Sequence, residues 1–182
     1  MDRRGFVKKS AIAAFAASWV SLEGKGNGLL SADEFLSFDF HAHPGLFFAK
    51  NIDSVSGDAA LAKTIAEMKE GKLSGAFFSL VADWKLIKIG PDGVKPARSF
   101  APNEAWNDYT NQVQILKTII QHHALKLATR GSDLESSLKK NEIAAYLSCE
   151  GGDFLEGQVD RLEKMYEDGV RSVQLVHYTP MN

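Results

Sequence analysis

A single cysteine, Cys149, stands among the 182 residues, so no internal disulfide framework is available. A zinc cluster built on several thiolates is excluded for the same reason. Basic residues are not in excess: 21 Lys and Arg face 23 Asp and Glu, a formal net charge of −2. A nucleic-acid binder usually carries a basic surplus. No Gly-rich phosphate loop follows the first apolar run, which weakens a flavodoxin-like nucleotide binder. No apolar run reaches the roughly 20 residues that a stable membrane span needs, and there is no internal repeat. What remains is an ordinary globular composition, 45% hydrophobic and 24% charged, long enough for one domain with a sizeable core.

The beginning of the chain reads differently from the rest. "MDRRGFVKKSAIAAFAASWV" has a charged head with paired Arg3 and Arg4, then a short apolar run from Ala11 to Val20, the layout of a secretory signal. The double arginine with Phe6 two positions later resembles a twin-arginine export signal. Ala14-Phe15-Ala16 is one candidate cleavage site. The alternative, a basic amphipathic start to a cytosolic helix, fits less well, because Ser18 is the only polar residue from Ala11 to Val20. Residues 1–20 are therefore read as a signal segment for periplasmic or other extracytoplasmic export. Residues 21–34, rich in Gly, Ser and charge, are read as a linker.

From residue 35 onward, strand-like and helical runs alternate. "EFLSFDFHAH" reads as a buried strand ending in polar residues. "SGDAALAKTIAEMKEGK" places Leu61, Ile65 and Met68 at helical spacing, with Ser56 or Asp58 to cap it and Gly71 to stop it. "LSGAFFSLVAD" is a second strand. A loop containing Pro91, Gly93, Pro96 and Pro102 follows, then a long helix with Tyr109, Val113, Leu116 and Ile120 as its apolar stripe. "LKLATRG" is a short third strand, "SDLESSLKKN" a helix capped by Ser132, and "IAAYLSCEGG" a fourth strand. The next helix is expected to turn Leu155, Val159, Leu162 and Tyr166 inward and to end at Gly169. "VRSVQLVHYTP" is the fifth strand. This alternation predicts an α/β fold with a parallel sheet, either doubly wound or a partial (β/α)8 TIM-type barrel of about five βα units. A complete barrel typically has eight strands and about 250 residues.

In parallel α/β folds, ligands meet the C-terminal ends of strands. Here those ends carry His41 and His43, Asp83, Glu150 and His177. Residues i and i+2 of a strand share a side, so His41 and His43 can converge on one ion. Imidazole nitrogen with carboxylate oxygen suits zinc and neighbouring divalent metals. Each residue also has a plainer reading. An isolated H-x-H is often polar surface, Glu150 before Gly151 and Gly152 fits a simple turn, and His177 fits a hydrogen-bonded core histidine. His122 and His123 are adjacent on the long helix, where neighbours face different directions, and are read as structural or solvent-facing.

The combination of a strand ending in H-x-H, another ending in E-G-G and a third ending in histidine resembles the membrane dipeptidase family of zinc peptidases. "FDFHAHPGLF" is similar to the family's opening segment and "GKLSGAFFSLVAD" to its second strand. The most specific stretch, "IAAYLSCEGGDFLEGQVDRLEKMYEDGVRSVQLVHYTPMN", resembles its longest shared segment. The likeness runs from Phe35 to Asn182, so residues 35–182 are expected to be the N-terminal part of a metal-dependent dipeptidase barrel.

That resemblance implies hydrolysis of dipeptides by a zinc-activated water. His41 and His43 would be ligands of one zinc, Glu150 would bridge two zincs, and His177 would contact the substrate and the tetrahedral intermediate. His43 stands where many members have aspartate, and Asp153 where many have histidine; Asp153 is assigned no role. No counterpart of the family's further histidines, arginine and aspartate is found. The expectation for this chain is at most one metal, held weakly, with little or no activity. The expected partner is a small dipeptide, without nucleic acid or a stable membrane span; a homodimer is left open. The alternatives are another amidohydrolase-type metallohydrolase or an inactive exported remnant.

Overall fold

The computed structural model describes residues 36–178; the expected signal at 1–20 and linker at 21–34 lie outside them. Among the described residues, no helix is long and apolar enough to cross a membrane. Five parallel strands form the main sheet: β1 (Phe38–Ala42), β2 (Gly75–Val81), β5 (Lys126–Ala128), β6 (Ala144–Glu150) and β7 (Val170–Gln174). A two-stranded antiparallel hairpin, β3 (Ile87–Gly90) and β4 (Gly93–Pro96), is separate from it. The helices are α1 (Ala59–Glu70), α2 (Glu104–His122), α3 (Gly131–Lys140) and α4 (Arg161–Asp168). The expected α/β class is borne out, with the sheet and its connecting helices forming part of a (β/α)8-type barrel.

β2 and β6 are the spine. They pair through seven registered partners, from Gly75 opposite Ala144 to Val81 opposite Glu150. β1 lies on the free side of β2, while β5 and β7 share the far edge of β6. β5 runs beside Ala144–Tyr146 and β7 beside Leu147–Glu150. The third strand in chain order therefore does not separate the second from the fourth. With three residues it cannot match the seven of β2, whereas β6 can.

Alternation along β2 and β6 divides their side chains between two environments. Ala76, Phe78, Leu80, Ala145, Leu147 and Cys149 enter the main core with Leu61 and Ile65 of α1 and Tyr109, Leu116 and Ile119 of α2. Each fully buried large aliphatic or aromatic side chain there stabilises the fold by about 1.5–3 kcal/mol. The other face begins with Phe77 and Tyr146, which meet Phe38 edge-on at centroid distances of 5.5 and 5.8 Å. Leu134 of α3 packs at that end. Further along, the hydroxyls of Ser79 and Ser148 bond at 2.6 Å, and Glu150 ends the same row.

Several expected details differ. Residues 87–96 fold as a hairpin where only a loop was expected, with Pro91 and Asp92 between strands that place Gly90 opposite Gly93. α3 starts at Gly131 with Arg130 at its N-cap, so Ser132 lies inside the helix and is not its cap; Asp133, at the third helical position, reaches back to accept from the backbone N–H groups of Thr129 and Arg130 at 2.8 and 2.9 Å. α4 starts only at Arg161, so the stripe expected to face inward is wrong: Val159, Leu162 and Tyr166 are exposed. The inward residues are Arg161 and Met165. The Arg161 guanidinium donates to the carbonyls of Phe154 and Leu155, to Glu156 and to Asn103, and lies 4.8 Å from the Trp106 ring centroid. Those partners explain how a charged side chain replaces an apolar one at a buried helix position.

Gln112 of α2 fixes the C-terminal end of β2. Its side chain accepts from Val81 N–H at 3.0 Å and donates to Val81 C=O at 2.9 Å. Ala82 N–H donates across to Glu150 C=O on β6, so Gln112 occupies the side where β1 has already ended. The amide thus replaces a missing strand. Asp108 accepts from Gln112 at 2.8 Å and pairs with Lys85. Gln112→Leu leaves both Val81 backbone groups buried and unpaired, and is expected to destabilise the fold by about 1–3 kcal/mol. Urea unfolding of the variant against the parent checks this.

Candidate metal centre

The segment His41-Ala42-His43-Pro44-Gly45 leaves β1 through a bulge. Asp39 lies opposite Ala76 and Ala42 opposite Phe78, so three steps on β1 match two on β2. Ala42 enters the core, and the two histidines emerge on the face that carries Glu150. Next comes a 3-10 turn, Pro44–Ala49, in which Gly45 has φ +57 and lies hard against α1. A Cβ at Gly45 would stand 2.6 Å from Leu61 Cα. Only glycine allows that approach. The His43 ring meets Phe48 edge-on at 5.1 Å, and Phe48 meets Trp84 at 5.0 Å.

Three ligand atoms converge at this rim. His41 Nε2 lies 2.7 Å from Glu150 Oε1, His43 Nε2 lies 3.1 Å from Glu150 Oε2, and the two imidazole nitrogens are 3.0 Å apart. The His41 side chain is 49% exposed and that of Glu150 10%. One side of the cluster is therefore open while its carboxylate is enclosed. Burial works to raise the Glu150 carboxyl, but the imidazoles of His43, His41 and His177 outweigh it and hold the group below its ordinary value.

The hydrogen-bonding pattern tests whether these residues fit a metal. His43 Nδ1 lies 2.9 Å from Ser79 C=O. A carbonyl only accepts, so Nδ1 carries the hydrogen, and in the neutral ring Nε2 presents a lone pair. That lone pair faces an acceptor oxygen of Glu150. A proton or a metal ion shared between the two satisfies both. The donors are two imidazole nitrogens and a carboxylate, the set that suits zinc and similar divalent ions, and the Ser79 contact orients one ligand from behind. His41, His43 and Glu150 can thus hold a metal ion.

His177 reaches the same place by another route. β7 ends at Gln174, so His177 lies in the following loop and not at the strand end as the sequence implied. Its Nδ1 is 2.7 Å from Asp83 Oδ1, and its Nε2 is 3.9 Å from Glu150 Oε2. Asp83, fully buried, reads in the sequence only as the polar end of the second strand; its hold on His177 joins residues 94 positions apart and leaves no sequence signal. His122 and His123 end α2 and are not in this cluster. His122 is exposed, and the His123 carbonyl accepts from Lys69.

Gly151 couples these parts. Its N–H donates to Gln174 C=O at 3.0 Å and that of Gly152 to Leu175 C=O at 2.8 Å, which ties the loop bearing His177 to the end of β6. At Gly151, φ is +93, and a Cβ would stand 2.9 Å from both Ala82 Cβ and Asp153 Oδ2. Asp153 thus packs close beside the glycine.

With that geometry in place, comparison with known proteins identifies the class. Residues 31–182 match the family described as membrane dipeptidase (Peptidase family M19), and the chain belongs to that family. Two solved structures share the fold. One, a dipeptidase AC metallopeptidase of family M19, is 17% identical with a TM-score of 0.58. The other, a metallopeptidase from Rhodobacter sphaeroides liganded with a phosphinate mimic of the dipeptide L-Ala-D-Ala, is 17% identical with a TM-score of 0.57. Each match covers 80% of this chain, and 44% and 46% of the respective neighbour. The chain therefore spans about half the length of either.

Gly151→Ala is expected to destabilise the fold by at least the roughly 1–3 kcal/mol that a strained backbone position costs. Thermal or urea unfolding measures it, with Gly157→Ala as a control, because a Cβ at Gly157 meets nothing within 4 Å although its φ is also positive. Equal losses at both positions would show that strain alone, without the crowding at Gly151, sets the cost.

Proposed function

We propose that the protein acts in metal-dependent hydrolysis of dipeptides, with zinc as the metal. The observation that carries this reading is the convergence of His41, His43 and Glu150, whose ligand atoms all lie within 4.8 Å of one another. Membership of the membrane dipeptidase family supports the reaction class. The dipeptide mimic bound to the Rhodobacter sphaeroides structure supports the substrate class.

His41, His43 and Glu150 would hold the ion. A divalent metal held there would serve as a Lewis acid, polarising a carbonyl and acidifying water near neutral pH. The chain's own residues supply the rest. Ser79 C=O keeps the His43 ring turned so that Nε2 faces inward. The enclosed carboxylate of Glu150 contributes the negative charge that a cation needs. His177 presents Nε2 beside Glu150, where it would meet the substrate; with Nδ1 bonded to Asp83, it is as the imidazolium that Nε2 would donate to charge developing on the carbonyl oxygen. The charged head and short apolar run within residues 1–20 support an exported, extracytoplasmic place of action.

The test is a zinc titration of the chelator-stripped protein. Saturable binding is expected. His41→Ala, His43→Ala and Glu150→Gln should each weaken it by more than the roughly 10–100-fold that loss of an outer-shell partner costs. Any hydrolysis of L-Ala-D-Ala, followed as release of free amino acid, should depend on added metal and be absent in Glu150→Gln, and little of it is expected from this chain. Absent zinc binding, or binding unchanged in Glu150→Gln, would overturn the reading.

A further inference from the structure

Asp83 stands two residues beyond the end of β2, fully buried. Both of its carboxylate oxygens meet the loop that follows β7. Oδ1 lies 2.7 Å from His177 Nδ1, and Oδ2 accepts from the Tyr178 backbone N–H at 2.8 Å. A carboxylate only accepts, so Nδ1 of His177 carries the hydrogen. The other nitrogen, Nε2, is then the one turned toward Glu150, 3.9 Å from Oε2. The His177 side chain is only 16% exposed, so the ring has little freedom to turn over.

We propose that Asp83 is a positioning residue for His177, fixing both the orientation and the tautomer of its ring so that Nε2 is the nitrogen offered to the substrate. The direction of the loop makes this necessary. β7 ends at Gln174, and Leu175 and Val176 are exposed; bonds from Gly151, Gly152 and the Gln174 side chain hold the chain as far as Val176, but none of them grips the His177 ring. Asp83 aims it by gripping the ring and the next peptide group together. Its own place is set by β2, whose end is held by Gln112 on one side and by β6 on the other. The frame that places Glu150 therefore also places the residue that aims His177. The function of the aimed nitrogen rests on the dipeptidase reading; the tautomer does not.

Asp83→Asn separates positioning from mere structure. The Tyr178 N–H still requires an acceptor, so the amide oxygen of the new side chain is drawn to it. The amide NH2 is then left facing His177 Nδ1, which must accept and so gives up its hydrogen to Nε2. A His-orienting aspartate replaced by asparagine presents the wrong tautomer in this way. A residue that only tied down the Tyr178 backbone would leave the imidazole unchanged.

The experiment uses the full chain labelled with 15N-histidine, observed at about pH 8, above the ordinary imidazole range. Two-bond 1H–15N correlations report which ring nitrogen carries hydrogen, and a His177→Gln sample assigns the signals. The parent protein should show the hydrogen predominantly on Nδ1, and Asp83→Asn should move it predominantly to Nε2. Hydrogen predominantly on Nε2 in the parent, or a pattern unchanged by Asp83→Asn, would overturn the proposal. If Asp83→Asn does not fold, the parent spectrum decides alone. Zinc titration of the parent sample reads the dipeptidase proposal independently: absence of zinc binding there counts against that proposal and leaves the tautomer result standing.

Discussion

The carboxylate of Glu150, enclosed at the end of β6 with two imidazoles drawn onto its oxygens, constrains the structure around it. Bringing a carboxylate out of water is costly unless positive charge or strong donors meet it. Here the compensating groups come from two other parts of the chain. The turn after β1 must deliver His41 and His43, and the loop after β7 must deliver His177. The bulge in β1, the glycine at position 45 pressed on Leu61, and the left-handed glycine at 151 are the local features that let three chain segments approach so closely.

Around that centre the supports are layered. The rings of His43 and His177 are each held from behind through Nδ1, one by a backbone carbonyl and the other by a buried carboxylate. β2 supplies both: Ser79 lies within it and Asp83 just beyond it. The end of β2 is in turn secured by Gln112, whose amide takes the place of a strand that has ended. One strand and the two residues that follow it thus orient both rings. The strand's rigidity comes from the pairing with β6 and from the core beneath Phe78 and Leu80.

The elements that could be read from the sequence were those governed by local rules. α1 begins at the Asp58 cap, whose side chain accepts from Leu61 N–H at 2.7 Å, as capping chemistry predicts, and it stops at Gly71, although the left-handed residue there is Lys72 and not the glycine. The long stripe of α2 is buried as its spacing implies. α4 was misread because Leu155, Val159, Leu162 and Tyr166 fall at helical spacing, yet the helix starts too late to use them together. The buried Arg161 was invisible for a related reason: its partners Asn103, Trp106 and Phe154 come from elsewhere in the chain. The hairpin at 87–96 was missed because its short strands carry Pro96 and only a few β-formers.

By itself the sequence determined the chemistry on offer: two histidines one residue apart, a glutamate before paired glycines, a histidine after the last apolar run, and a parallel α/β order that turns strand ends toward a ligand. Those are matters of residue type and spacing, and local propensity carries them. Tertiary structure alone decided which strands are neighbours, that β6 joins β2 directly, and that Asp83 takes hold of His177 from 94 residues away. The physical reason is that strand pairing and buried hydrogen bonds depend on which surfaces can be enclosed together, and no window of local sequence contains both partners.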